Sequence, residues 1–195
     1  MKKILFILIS LVSITVSAQG RDSVYIKTDI YECVYSEVLE QPKFIRYTVQ
    51  CPNGTASRIG MDFYISGDLK TSDDKDYTQN VYDKGHMAPA ADFNCTKEML
   101  YKTFSYVNCA LQHQELNRIT WRLLEAKERV LAQNYTVSVE IRLIFDKTCT
   151  KLPTGATVPK AFYKTIYIKE TKQVLKYYFI NEKPISSNPE NYLIK

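Results

Sequence analysis

Histidine is scarce in this chain. Only His86 and His113 occur in 195 residues, and tryptophan occurs once, at Trp121. Imidazole chemistry is therefore confined to two positions, and all three rare side chains fall within one-fifth of the length. Beyond the N-terminus no apolar run is long enough to cross a bilayer, which excludes a second membrane segment of that kind. No internal repeat or low-complexity tract is present, which excludes a repeat array. No cysteine follows directly on Ala18, which argues against bacterial lipidation.

The N-terminus itself has a clear pattern. Met1-Lys2-Lys3 precedes an apolar run from Ile4 to Val16, closed by Val16-Ser17-Ala18. A charged start, a short apolar stretch and a small-residue cleavage site read as a secretory signal peptide over residues 1–18. The expected product is one domain, residues 19–195, in the periplasm or the medium, with no remaining membrane attachment. Losing Lys2 and Lys3 lowers the formal charge from +5 to +3, which by itself says little about nucleic acid. Export implies an oxidising compartment, so one or two disulfides are expected among Cys33, Cys51, Cys95, Cys109 and Cys149. Cys33 and Cys51 flank a hairpin-like region and form the first candidate pair.

Fifteen tyrosines fit half-buried strands. Strand-like runs occupy Val24–Val34 and Phe44–Gln50, then Tyr135–Phe145, Phe162–Ile168 and Val174–Ile180. The polar stretch Ser66–Asn80 reads as a solvated loop or a substrate rim. Thr96 caps a short helix running to Phe104. The clearest helix spans Gln114–Gln133, with a core stripe expected at Leu116, Ile119, Leu123, Ala126 and Val130. Asn117, Trp121 and Glu125 form a second stripe on the opposite side, facing a groove. Strands, then helix, then strands indicate α+β and one domain.

His86 lies in Tyr82-Asp83-Lys84-Gly85-His86-Met87-Ala88-Pro89-Ala90-Ala91-Asp92. Alone, a histidine after a glycine is more often structural than catalytic. Lys84 nearby would depress its pKa and favour the neutral form a general base needs. His86, Cys95, Cys109 and His113 are also zinc-ligand types with one Cys-x3-His step. Their other spacings match no zinc module, and exported thiols tend to oxidise.

A second block completes the pattern: Asn108, Gln112, Asn117, Trp121 and Glu125. The order and spacing of the two blocks resemble the DNA/RNA non-specific endonucleases, the ββα-metal His-Asn nucleases that include secreted bacterial nucleases and mitochondrial endonuclease G. The resemblance covers roughly residues 30 to 180. It implies a ββα-metal fold with a mostly antiparallel central sheet flanked by helices, and hydrolysis of DNA and RNA to 5′-phosphate and 3′-hydroxyl ends. It implies His86 as general base and Asn117 as the direct ligand to Mg²⁺, which Mn²⁺ may replace. Glu125 would bond a metal-bound water, Asn108 and Lys84 would join the catalytic residues, and Lys84, Gln112 and Arg118 would contact substrate. Lys84 stands where the family has arginine, and Arg118-Ile119 replaces the glycine often found after the metal asparagine. A further arginine used by some members is sought in Ser66–Asn80, where Lys70 and Lys75 are the candidates. Lys84, together with the absence of the family's Thr-Gly-Pro step after the helix, motivates an alternative, a degenerate member that binds nucleic acid without cutting it.

Overall fold

The computed structural model describes residues 20–194; the expected signal peptide lies outside them. Strands β1 (Val24–Lys27), β2 (Tyr31–Ser36) and β3 (Gln41–Thr48) come first, followed by a long irregular stretch and β4 (Tyr82–His86). Helix α1 (Lys97–Lys102) and β5 (Cys109–His113) lead to a helical segment beginning at Leu116, whose regular α part is α2 (Arg122–Ala132). Strands β6 (Val137–Ile144), β7 (Ala161–Ile168) and β8 (Gln173–Ile180) complete the order. Six strands form one antiparallel sheet ordered β1-β2-β3-β6-β7-β8, and β4 and β5 pair as a separate antiparallel ribbon. No helix among the described residues is long and apolar enough to cross a membrane.

Alternation sets the sheet. Val137, Val139, Ile141 and Leu143 of β6 all point into the core, and the residues between them do not. On β7 the same period places Lys164 on the core face between Phe162 and Ile166. A buried ammonium requires a partner. Glu128 of α2 supplies it at 2.6 Å, and the Tyr47 hydroxyl donates to the other Glu128 oxygen at 2.9 Å. The Lys164 Nζ lies 4.3 Å from the ring of Trp121, which packs on Phe162 and Phe179 with centroids 5.4 and 5.5 Å away.

This packing corrects the helix register expected from sequence. Leu116, Thr120, Trp121, Leu124 and Glu128 are buried, whereas Ile119, Leu123 and Val130 are exposed. The reason is local: Leu116–Trp121 is π-helical. Its i→i+5 hydrogen bonding widens the turn, so the inward positions after Leu116 are Thr120 and Trp121 and not Ile119. Trp121 thereby belongs to the core and not to a groove.

The cysteines pair differently as well. Cys51 is bonded to Cys95, while Cys33, Cys109 and Cys149 are free. Cys33 sits mid-strand opposite Ile45 with its sulfur against the Val107 carbonyl, whereas Cys51 lies beyond the end of β3. The disulfide fastens the irregular stretch after β3 to the segment after His86. Backbone bonds reinforce it: the amides of Gln50 and Cys51 donate to the Asp92 carbonyl, and Ala56 donates to that of Asn94. Gly54 is required there, because a Cβ would collide with Asn94. Replacing both cysteines by serine is expected to lower the free energy of unfolding by about 2–4 kcal/mol. Urea titration checks this, and an unchanged midpoint would contradict it.

Candidate active site

The β4–β5 ribbon presents the motif. Gly85 lies flat against Gln112: a Cβ at position 85 would sit 2.5 Å from the Gln112 amide oxygen. Such close backbone approach admits only glycine. The chain beyond His86 is clamped by Asn108, whose amide oxygen accepts from the Ala88 N–H at 2.7 Å. Its amide nitrogen donates to the carbonyls of Ala88 and Thr103, each at 2.8 Å. His86 is thus delivered at the end of β4 with little freedom.

Its imidazole lies 4.8 Å from the ring of Phe63 and 4.9 Å from that of Phe104. Nε2 is buried with no hydrogen-bond partner among the described residues. Burial, and then the charge of Arg58, pull the His86 pKa down to about 3. The ring is therefore neutral at ordinary pH. The cation responsible is Arg58, not the Lys84 expected from sequence.

A cleft of about 690 Å³ opens beside this ring. Arg58, Lys84, Arg118, Arg122 and Arg129 line it, with the carboxylates Asp62, Asp83 and Glu125 and the amide of Asn117. Asp83 accepts two bonds from Arg118, at 2.8 and 2.6 Å, and one from the Asn117 amide nitrogen at 3.0 Å. That bond occupies the donor end of Asn117 and leaves its oxygen as the acceptor. Burial pushes Glu125 up to about 7, against the pull of Lys164 and Arg129 and aided by the charge of Glu128. Arg129 also reaches beneath the cleft to the fully buried Asp92, at 3.0 Å.

The sequence pattern of the DNA/RNA non-specific endonucleases matches residues 10–193. The chain belongs to this family. Among curated relatives, a nuclease of Syncephalastrum racemosum is 44% identical over 63 residues, covering 32% of this chain and 20% of that protein. The mitochondrial nuclease EXOG of Danio rerio is 32% identical over 69 residues, covering 35% of this chain and 20% of that protein. The matched segments thus span one-fifth of each curated relative. A crystal structure of the EndoG/EndoGI complex, solved to explain EndoG inhibition, superposes with a TM-score of 0.74 at 23% identity. That match covers 88% of this chain and 80% of the other. The similarity establishes the ββα-metal nuclease fold, in which β4, β5 and the helix after them form the ββα unit.

Within this family member, His86, Lys84, Asn117, Arg118 and Glu125 all line one cleft. Asn108 and Gln112 do not. Asn108 is wholly buried, with its amide spent on the backbone around His86, so it is a clamp and not a cleft residue. Gln112 is sealed beneath Gly85, both ends of its amide unpaired among the described residues. Lys70 pairs with Glu40 at 2.6 Å, and neither it nor Lys75 lines the cleft; Arg58, from an earlier stretch, does. Sequence reasoning also passed over Arg122 and Arg129. Placing them three before and four after Glu125 on the helix would have found both. A zinc centre is ruled out on chemistry, because the Cys95 sulfur is consumed in the disulfide and the Cys109 thiol bonds Tyr77. The amide oxygen of Asn117 and the Asp83 carboxylate beside it are oxygens of the kind a hard divalent cation takes.

A depressed pKa in the folded state means that stability is complete above the unfolded value near 6.5 and falls as pH drops toward 3. From His86 alone the slope is at most about 1.4 kcal/mol per pH unit. His86→Asn should remove that component from the pH dependence of urea unfolding between pH 6 and 4. In NMR, the ring signals of His86 should stay flat from pH 8 to 5, and a midpoint near 6.5 would contradict the assignment.

Proposed function

We propose that this chain is an exported, metal-dependent endonuclease that hydrolyses phosphodiester bonds in both DNA and RNA, leaving 5′-phosphate and 3′-hydroxyl ends. The observation that carries the proposal is the neutral His86, with an unpartnered Nε2, in one cleft with Asn117, Glu125 and four arginines. A general base needs an unprotonated nitrogen aimed at its proton donor, and the aromatic box of Phe63 and Phe104 provides a fixed, neutral ring. His86 takes a proton from water as the water oxygen bonds to phosphorus. The bond from phosphorus to the 3′ oxygen breaks in line, and that oxygen acquires a proton from solvent.

The cations serve the phosphate. Arg58 and Arg129 face the cleft from opposite sides of the fold, one on the disulfide-tethered stretch and one on α2. Guanidinium forks match non-bridging phosphate oxygens. Asn117 would hold Mg²⁺, or Mn²⁺ in its place, with Glu125 receiving hydrogen bonds from its waters. The bound ion would stabilise negative charge developing on the phosphate oxygens. Asp83 holds the Asn117 amide in the required orientation.

Export rests on the expected signal peptide and is supported by the Cys51–Cys95 disulfide, which persists in oxidising compartments. Purified protein should nick plasmid DNA and degrade RNA, stop in EDTA, and recover with Mg²⁺ or Mn²⁺. His86→Ala should lose roughly 10²–10⁴-fold in kcat. Salt-sensitive DNA binding without turnover in either metal would instead identify a non-cutting member of the family.

A further inference from the structure

Lys84 occupies the family's arginine position, and three groups outside the ribbon hold its ammonium. Asp74 accepts a hydrogen bond from Nζ, and the same Asp74 oxygen accepts from the Tyr106 hydroxyl at 2.5 Å. The rings of Phe63 and Tyr106 lie 5.3 and 5.5 Å from Nζ, so two aromatic faces flank the charge. Asp62 is farther, at 3.6 Å, and both carboxylates are largely exposed, at 81% for Asp62 and 72% for Asp74. Asp74 itself does not line the cleft.

The residue is nonetheless anchored. Asp74 opens a one-turn 3₁₀ segment closed by reciprocal bonds between Asp73 and Asp76. Asp76 is buried and accepts from the Thr154 hydroxyl at 2.5 Å and the Ala156 amide at 3.3 Å, fixing the turn to the loop before β7. The hydrogen bonds from Lys84 and Tyr106 hold the Asp74 carboxyl below the usual carboxylate range, so it is ionised at working pH.

We propose that Asp74, with Tyr106 behind it, is the positioning residue that lets a lysine serve where an arginine is expected. The inference rests on the nuclease reading of this cleft. An arginine brings a planar fork already organised for phosphate. A lysine is a point charge on a four-carbon stem, and binding must first still that stem. Asp74 takes one of its three donors and the two rings confine its path. Lys84, which lines the cleft, therefore arrives with its position set and its other donors available to a phosphate oxygen.

A double-mutant cycle on plasmid cleavage, run at fixed salt in the complete protein with Mg²⁺, separates this role from plain electrostatics. Asp74→Asn should lower kcat/KM roughly 10-fold. In a Lys84→Arg background the same change should cost under about 2-fold, because the fork does not need the anchor. If Asp74 only opposes the phosphate charge, Asp74→Asn would lower KM in both backgrounds, and the proposal would fall. Equal losses in both backgrounds would overturn it too. Asp74→Glu controls for folding, alongside the thermal midpoint of each variant. A readout without turnover keeps the test apart from the nuclease assignment: acetylation of Lys84, followed by peptide mass spectrometry. It should quicken several-fold in Asp74→Asn, and an unchanged rate would refute the anchoring whether or not the protein cuts nucleic acid.

Discussion

A lysine with no exposed side chain holds helix and sheet in register. Lys164 and Glu128 are both fully buried, 2.6 Å apart, with Tyr47 on the far carboxylate oxygen and Trp121 under the ammonium. Such a pair gains little over well-packed apolar residues, yet removing one partner strands the other at a cost of about 3–5 kcal/mol. Its value lies in specificity. Glu128 can reach Lys164 only if α2 turns that residue inward, and the π-helical turn at Leu116–Trp121 supplies the rotation. The same rotation places Asn117 and Glu125 on the cleft. Helix phase, core polarity and cleft composition are therefore one constraint.

The buried charges also set the chemistry. The charges of Glu125 and Glu128 add to burial in raising the proton affinity of Asp92, and Glu128 does the same to Glu125, with Arg129 opposing at both and Lys164 at Glu125. Glu125, at the open end of this group, is the member that burial leaves poised near neutrality. On the other wall Arg58 and the aromatic box act in the opposite direction on His86 and keep it neutral. Glu125, held up by desolvation against the pull of Lys164, and His86, held down by desolvation and then by Arg58, face the same cleft.

Legibility in the sequence follows the range of the interactions. The alternation in β6 is a local signal, and its four apolar residues all face the core as expected. The spacings of the two motifs brought His86, Lys84, Asn117 and Glu125 to one place. What failed was non-local. The stripe through Ile119, Leu123 and Val130 satisfied a 3.6-residue period, but the sheet offered Lys164 to Glu128, and a π turn shifted the phase. Cys33 and Cys51 were close in sequence, whereas the bond formed across 44 residues to Cys95. Asn108 has the chemistry of a site residue, yet burial and three hydrogen bonds to the backbone commit it to support. Arg58 sits in an irregular stretch where no period could mark it.

The two walls of the cleft are consequently built by different means. The helix wall is positioned by the core, so Asn117, Glu125 and Arg129 move only if the packing of Trp121 and Lys164 moves. The opposite wall rests on a smaller cluster, in which Ala56, Met61, Phe63 and Tyr64 pack against Ala90, Leu100 and Phe104. Arg58 and Phe63 come from a stretch tied back by the disulfide, by the bonds to Asp92 and Asn94, and by contacts of Phe63 with Phe104 and Tyr106. A substrate phosphate between the walls would meet Asn117 and Glu125 already in place. The residues that neutralise His86 and complete the cation set arrive from the wall held by a disulfide. The Cys51–Cys95 bond is thus a condition of cleft geometry as well as of stability.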